Sequence, residues 1–312
     1  MPAAVDPGSA RVVVLSGGTG GAKLARGLAD VCGDRLSVVA NTGDDIEIHG
    51  GHVSPDPDLC AFWLADVIDE RGWGLDGDTF EAMDEIERQT GERPWFALGD
   101  RDLEICVERA RALAAGRSLT DAHTQLCKQL GLLQPVLPMS DDPVRTVLVS
   151  EGRRIGIQEF LIKERGAAQI DDVVFEGADV ARATTQVLEA LASADVIVIG
   201  PSNPMLSIGP ILAIDELREA LVLAAAPVVA VSPVVGGSIL KGPTAACMQW
   251  LGLPVSASGI ARHYGPLLDG LVSDEPSPDP MLPHLQHDTE LSTPEQRRAV
   301  AAAVVEFGLG LR

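Results

Sequence analysis

Ser16-Gly17-Gly18-Thr19-Gly20-Gly21 directly follow the apolar run Val12 to Leu15 and precede residues 22–29, which read as a helix. A strand that turns through glycines into a helix leaves backbone N–H groups free at the helix N-terminus, and those groups with the helix dipole bind phosphate. Glycine also lets a ligand approach where a Cβ would clash. Lys23 stands one turn in and can reach back to a phosphate oxygen. The bland alternative is a tight strand–helix turn with no ligand. Two familiar phosphate signatures are incomplete here. A dinucleotide site expects a third glycine where Lys23 stands, and an acidic residue ending the second strand, where the chain has Asn41-Thr42. A Walker A loop needs Ser or Thr after its lysine, and Lys23 is followed by Leu24. A mononucleotide or nucleoside diphosphate derivative remains.

Carboxylates are the second chemical feature. Asp44, Asp45, Glu47, Asp56 and Asp58 fall within fifteen residues, just past the second strand. In open α/β sheets ligands bind beyond the carboxyl ends of the strands. Carboxylates beside a phosphate site suit Mg²⁺, which takes one or two protein oxygens and completes its shell with water and phosphate; a solvated acidic loop is the alternative. His49 and His52 have no third nitrogen or sulfur ligand nearby, so they read as loop or substrate-contact residues rather than zinc ligands. In Leu98-Gly99-Asp100-Arg101-Asp102, Gly99 and Asp100 suit a helix N-cap, while Arg101 between two aspartates could orient a carboxylate or a planar ring. Two further loops, Gly200-Pro201-Ser202-Asn203-Pro204 and Ser232 to Ser238, offer hydroxyl, amide and N–H groups suited to a base or phosphate, with Lys241 just beyond the second. Neither is a nucleophile elbow, and no Ser–His or Cys–His pairing can be argued. Met139-Ser140-Asp141-Asp142-Pro143 reads as a plain acidic turn.

These loops need a scaffold. Leu36 to Ala40, Val196 to Ile199 and Val228 to Val231 are apolar runs like the first, and Leu271 to Asp274 reads as a late strand. Fully apolar strands are buried on both faces, and strands alternating with helices, including 205–224 and 243–251, define a doubly wound α/β fold with a mostly parallel, Rossmann-like sheet. Residues 57–131 read as almost entirely helical. Residues 145–150 and 153–162 read as a hairpin turning at Glu151-Gly152. The expected organisation is a nucleotide-binding core of 11–56 and 181–312, carrying 57–180 as a mainly helical cap with a small antiparallel insertion. Residues 275–290 read as a loop, and the last helix starts at Thr293 with Pro294 in its first turn and Gln296 in the capping-box position.

Composition narrows the partners. The chain of 312 residues carries 45 acidic and 24 basic side chains, a formal charge of −21, with only 4 lysines. Such a chain repels nucleic acid and anionic membrane. No apolar run is long enough to span a bilayer, and the first ten residues lack the basic and apolar segments of a signal peptide. The 5 cysteines are widely spaced with no C-x-x-C pair. They read as small core residues of a cytoplasmic protein.

Taken in order, SGGTGGAKL (16–24), NTGDD (41–45), SPD (54–56), LGDRD (98–102), LPMSDDP (137–143), GPSNP with SIGP (200–210) and VSPVVGG (231–237) resemble the CofD-like family, over nearly the whole chain from residue 11. Within it the chain is similar to 2-phospho-L-lactate transferases and their actinobacterial phosphoenolpyruvate-transferase counterparts. It departs from archaeal members at Gly43-Asp44-Asp45, where those often carry Ala-Glu-Asp. The resemblance implies a step in the biosynthesis of coenzyme F-420: a guanosine diphosphate-linked three-carbon acid gives its phospho-acid moiety to a deazaflavin precursor, GMP leaves and Mg²⁺ assists. The Arg-over-Lys, Ala-rich usage fits a high-GC actinobacterium, for which the resemblance implies the enolpyruvyl rather than the lactyl donor. By the family pattern Gly17, Gly18, Thr19, Gly20, Lys23, Ser202, Asn203, Ser207, Ser232 and Gly236 would hold the nucleotide. Thr42, Asp45, Pro55, Asp58, Ala97, Asp100 and Arg101 would hold the deazaflavin. Asp44, Asp45 and Asp56 would hold the metal, and Asp44, Asp45 and Asp100 would serve catalysis. A homodimer is implied. The rival reading is a non-catalytic nucleotide-sugar-binding regulator of the same superfamily.

Overall fold

The apolar run that opens the chain forms strand β1 (Val12–Ser16), buried at every position, and its glycine turn enters helix α1 (Gly18–Cys32) in a computed structural model that describes residues 7–239, 242–277 and 279–312. Lys241 lies outside the described residues. Strand β2 (Leu36–Ala40) follows, then an antiparallel hairpin of β3 (Ile46–Ile48) and β4 (Gly51–Val53). Helices α2 (Pro55–Leu64), α3 (Glu81–Thr90), α4 (Asp100–Ala114) and α5 (Leu119–Gln129) precede β5 (Val136–Pro138). A separate antiparallel sheet joins β6 (Arg145–Ser150) to β7 (Arg153–Gly156) and, after α6 (Ile157–Ile162), to β8 (Asp172–Glu176). Next come α7 (Thr185–Ser193), β9 (Val196–Ile199), α8 (Gly209–Ala213), α9 (Asp215–Val222) and β10 (Val228–Val231). The chain closes with the hairpin β11 (Val234–Val235) and β12 (Ser238–Ile239), α10 (Thr244–Trp250), α11 (Ala257–Tyr264), β13 (Gly270–Ser273), β14 (His284–Gln286) and α12 (Pro294–Gly310).

Seven of these strands form one sheet in the order β14-β13-β10-β9-β1-β2-β5, and every pairing in it is parallel. This is the doubly wound arrangement expected from the alternating strands and helices. Successive side chains point to opposite faces of a strand. Val13, Leu15, Ile197 and Ile199 accordingly enter one apolar layer, and Val12, Val14, Val196 and Val198 the other. Burial on both faces is why these strands read as unbroken apolar runs. The chain winds outward from β1 to β2 and β5, then returns to β9 on the other side of β1. The topological switch point therefore lies between the carboxyl ends of β1 and β9, where the glycine turn and the Gly200–Asn203 loop emerge.

Four local expectations differ from the structure. The sheet does not divide at 57–180, because β5 pairs with β2 at its edge. This strand has only three residues and ends in Pro138, which an edge tolerates. Residues 157–162 form a helix rather than extending β7. Ile157, Phe160 and Leu161 have the i, i+3, i+4 spacing that lets a helix pack on Leu148 and Leu206. The 205–224 helix is broken by a π-turn at Pro204–Ile208 and at Ile214, giving α8 and α9. The 275–290 loop contains β14, paired with β13. The last helix starts as expected, with both bonds of the Thr293/Gln296 capping box formed. All five cysteines are free and buried. Among the described residues no helix is long and apolar enough to cross a membrane.

Candidate functional site

A cavity of about 1190 Å³ opens at the carboxyl ends of β1, β9 and β10. Gly17, Gly18, Thr19, Gly20 and Lys23 line it, with Ser202, Asn203, Ser207 and Ser232. The glycines have separate reasons. Gly18 has φ +62°, a left-handed backbone. A Cβ on Gly20 would lie 2.1 Å from the Pro201 carbonyl oxygen, and one on Gly21 would lie 2.3 Å from Ser16 Oγ, so α1 can dock on the β9 loop only without them. Gly17 donates its N–H to Ser202 Oγ at 3.3 Å. Asn203 Oδ1 accepts the N–H groups of Met205 and Leu206, both at 2.9 Å, and so caps the π-turn that carries Ser207 to the cavity. Lys23 holds its ammonium 5.7 Å from the Trp63 ring centre. Gly236 sits in the β11–β12 turn, outside the lining, with its N–H given to Asp274.

The carboxylates divide by what they touch. Asp44 and Asp56 line the cavity and are tied together by Asn41, whose amide Nδ2 donates to Asp44 Oδ1 and Asp56 Oδ2 at 2.9 Å each. Asp56 also accepts the Gly18 N–H at 2.7 Å. Burial pushes the Asp56 carboxyl up to about 6, against its hydrogen bonds. Burial, reinforced by the Asp56 charge, raises Asp44 well above the usual carboxylate range. Two buried like charges without a cation between them prefer to hold a proton. Asp45 is absent from the lining: its Oδ1 accepts from Ser54 Oγ at 2.8 Å and its Oδ2 lies 2.9 Å from His52 Nε2. The other His52 nitrogen lies 3.1 Å from Glu47, and His49 meets the Phe96 carbonyl at 2.7 Å. Thr42 is buried and also outside the lining.

Part of the cavity wall comes from α2 and the connections on either side of α3. Phe62, Trp73, Phe80, Trp95 and Phe96 give the cavity aromatic walls, and Pro55, Asp58, Ala97 and Asp102 line it as well. Arg71 stands 5.7 Å from the Phe80 ring centre and Lys163 4.5 Å from that of Trp95. Asp100 and Arg101 lie outside. Asp100 accepts the N–H groups of Glu81 and Ala82 at 2.9 Å and the Thr79 hydroxyl, which hold its carboxyl below the usual range. It thus caps α3 from the first turn of α4. Arg101 gives its guanidinium to the Asp76 carbonyl at 3.0 Å. The 139–143 segment is a structural turn, with Asp141 accepting the Thr120 N–H at 2.7 Å.

Behind Asp58 stands a buried network of which the motifs marked only Asp102. Arg109, 4% exposed, binds both Asp58 oxygens and donates to the His52 carbonyl at 2.9 Å. His123 Nδ1 lies 3.6 Å from Asp58, and burial beside Arg109 lowers that imidazole to about 3, so it stays neutral. Burial and the Asp58 charge push Asp102 up to about 7. Ligand atoms of Asp58, Asp102 and Cys106 fall within 4.8 Å of one another. The guanidinium already bound to Asp58 disfavours a second cation there, and burial raises the Cys106 thiol away from the thiolate a metal needs.

A cavity at the topological switch point, with a glycine-turn helix N-terminus and paired carboxylates in its lining, marks the ligand-binding crevice of a doubly wound α/β protein. The sequence pattern of the family described as 2-phospho-L-lactate transferase CofD matches residues 12–305, and the chain belongs to that enzyme family. A phosphoenolpyruvate transferase of Thermobifida fusca is 38% identical over 97% of this chain and 99% of its own. One of Streptomyces griseus is 41% identical over 85% of each. A Bacillus halodurans structure, described as a member of the UPF0052 family, shares the fold with TM-score 0.54 and 19% identity, covering 86% of this chain and 82% of that one.

Proposed function

We propose that this transferase moves a phosphoenolpyruvyl or 2-phospho-L-lactyl group from a guanosine diphosphate-linked donor to the ribityl hydroxyl of 7,8-didemethyl-8-hydroxy-5-deazariboflavin, releasing GMP, in coenzyme F-420 biosynthesis. The observation that carries this reading is one cavity lined by both the glycine turn and aromatic walls, with Asp44 and Asp56 lining it as well. The nucleotide phosphates fit the α1 N-terminus, and a flat heterocycle fits the aromatic walls. The hydroxyl oxygen bonds to the phosphorus bearing the three-carbon acid, the bond to the GMP phosphate breaks, and a carboxylate takes the hydroxyl proton. Phosphoryl transfer needs positioning and charge neutralisation more than a covalent nucleophile.

Mg²⁺ fits Asp44 and Asp56: both are hard oxygen donors, buried and adjacent, and their raised proton affinity is what a divalent cation relieves. It would supply charge neutralisation at the phosphates. Asp45, held by His52 and Ser54, supports that pair from behind. The acceptor's proton goes to a carboxylate on the Asp58–Asp102 side. We place the reaction in the cytoplasm, in keeping with free cysteines, and in a homodimer. The test is mass spectrometry of the product from the deazaflavin with each candidate donor and Mg²⁺; the two products differ by two hydrogens, and the enolpyruvyl product is expected. Retained GDP binding with no product from either donor would overturn transfer in favour of a binding protein.

A further inference from the structure

We infer that Glu290 reads the base of the nucleotide, accepting the N1–H and exocyclic N2–H of guanine. The inference rests on the guanosine-linked donor proposed above. Guanine presents those two donors side by side; adenine presents an acceptor at N1 and no amine at C2, and xanthine a carbonyl at C2. A carboxylate has two oxygens and only acceptor capacity, so it pairs with guanine and rejects the other two.

The placement is specific. Among the described lining residues, the other acids, Asp44, Asp56, Asp58, Asp78 and Asp102, all come from the first third of the chain, on the carboxylate and aromatic side. Glu290 comes from the loop between β14 and α12, which lines the same cavity through Thr289 to Ser292. That loop stands near α1, because α12 packs along α1 so closely that a Cβ on Gly27 would lie 2.3 Å from the Arg297 carbonyl oxygen. A nucleotide with its phosphates at the start of α1 would lie in the same cavity that Glu290 lines. Pro201 and Pro233 add apolar lining suited to a purine face.

The carboxylate is also fixed in place. Ser292 Oγ donates to Glu290 Oε1 at 2.8 Å, and Gln296 Nε2 donates to Oε2 at 3.3 Å. Gln296 cannot turn freely, because its Oε1 accepts the Thr293 N–H at 2.9 Å in the capping box. The capping box thus aligns Glu290, and each carboxylate oxygen keeps a lone pair for a ligand. Beside it Thr289 is 2% exposed and its hydroxyl has no hydrogen-bond partner.

Calorimetry with guanosine, adenosine and xanthosine diphosphates on the full chain and on Glu290→Gln tests this. The wild type should prefer the guanosine nucleotide. Glu290→Gln should lose about tenfold to a hundredfold in guanosine affinity, the range of hydrogen bonds to a charged group, and leave adenosine affinity unchanged. It should gain xanthosine affinity, because its amide N–H can meet the new C2 carbonyl; that gain cannot come from misfolding. An unchanged guanosine-to-xanthosine ratio overturns the inference, as does an equal loss for all three nucleotides. A wild type that does not prefer guanosine overturns the proposed donor instead.

Discussion

Gly18 gives its backbone N–H to Asp56 at 2.7 Å, which puts a carboxylate at the N-terminus of α1, beside the place a phosphate would take. The helix end favours that negative charge, while burial opposes it and wins, since the carboxyl rises to about 6. The acid and the proposed phosphate site would thus share one helix terminus, and a divalent cation there would let both stay charged.

A pH dependence follows. The folded-state pKa of Asp56 lies above its ordinary 3.8, and that of Asp44 is raised too. The native state therefore binds these protons more tightly than the unfolded chain, and their contribution to stability falls as pH rises from about 4 through 6. Without metal, wild type should lose Tm relative to Asp56→Asn between about pH 5 and pH 7.5. Mg²⁺ should recover it at the higher pH and do little at the lower. Scanning calorimetry of both proteins with and without Mg²⁺ checks this; a Mg²⁺ shift that is the same at both pH values would sink the assignment.

The Arg109–Asp58 pair predicts a stability loss. Arg109→Ala leaves a buried carboxylate uncompensated, which costs about 3–5 kcal/mol. Arg109→Lys keeps the charge but cannot make the two-pronged contact, so it should fall between. Urea denaturation measures both, and a loss below about 1 kcal/mol for the alanine variant would mean the pair is not held as described.

The legibility of these features in the sequence follows their spacing. β9 and β10 are apolar at every position, and β1 at all but its last, Ser16, because both faces are covered, so they announce themselves. β5 does not, since three residues ending in proline carry almost no period. The glycine turn, Asp44 and Asp56 stand just beyond the carboxyl ends of β1 and β2, in turns or first helical turns where ligands bind, so their positions point to the site. Arg109 and His123 sit inside polar-looking helices, and nothing local separates them from solvent-facing residues. Arg109 is buried because α4 packs on β4, so closely that a Cβ on Gly51 would lie 2.8 Å from Cys106 Cβ, and His123 because α5 packs against β5 and α4. Asp100 is a different case: its motif suited a cap, the resemblance implied chemistry, and the contacts it makes cap α3.

Asp100→Ala separates those two roles. Losing the bonds to Thr79, Glu81 and Ala82 should destabilise the start of α3 by about 1 kcal/mol. Trp73 and Phe80 lie in or next to the connection that Asp100 anchors, so the deazaflavin KM should rise several-fold while kcat changes little. A kcat loss beyond about a hundredfold at saturating acceptor would instead put this carboxylate at the reacting hydroxyl.

Gly17→Ala and Gly27→Ala form a matched pair along α1. A Cβ at Gly17 would lie 2.7 Å from both Asp56 Oδ2 and Ser207 Cβ, inside the site, while one at Gly27 would meet the Arg297 carbonyl at 2.3 Å, on the α12 side. Both overpack, and each should cost about 1–3 kcal/mol in denaturant unfolding. Their effects on binding should part company. Gly17→Ala displaces a proposed metal ligand and the π-turn serine, so GDP affinity should fall and its Mg²⁺ dependence should flatten. Gly27→Ala moves a helix contact away from the cavity and should leave GDP affinity within about threefold of wild type, the scale of a surface-level perturbation. Equal losses of affinity in the two variants would show that the glycine turn acts on binding only through general stability, and would remove it from the nucleotide site.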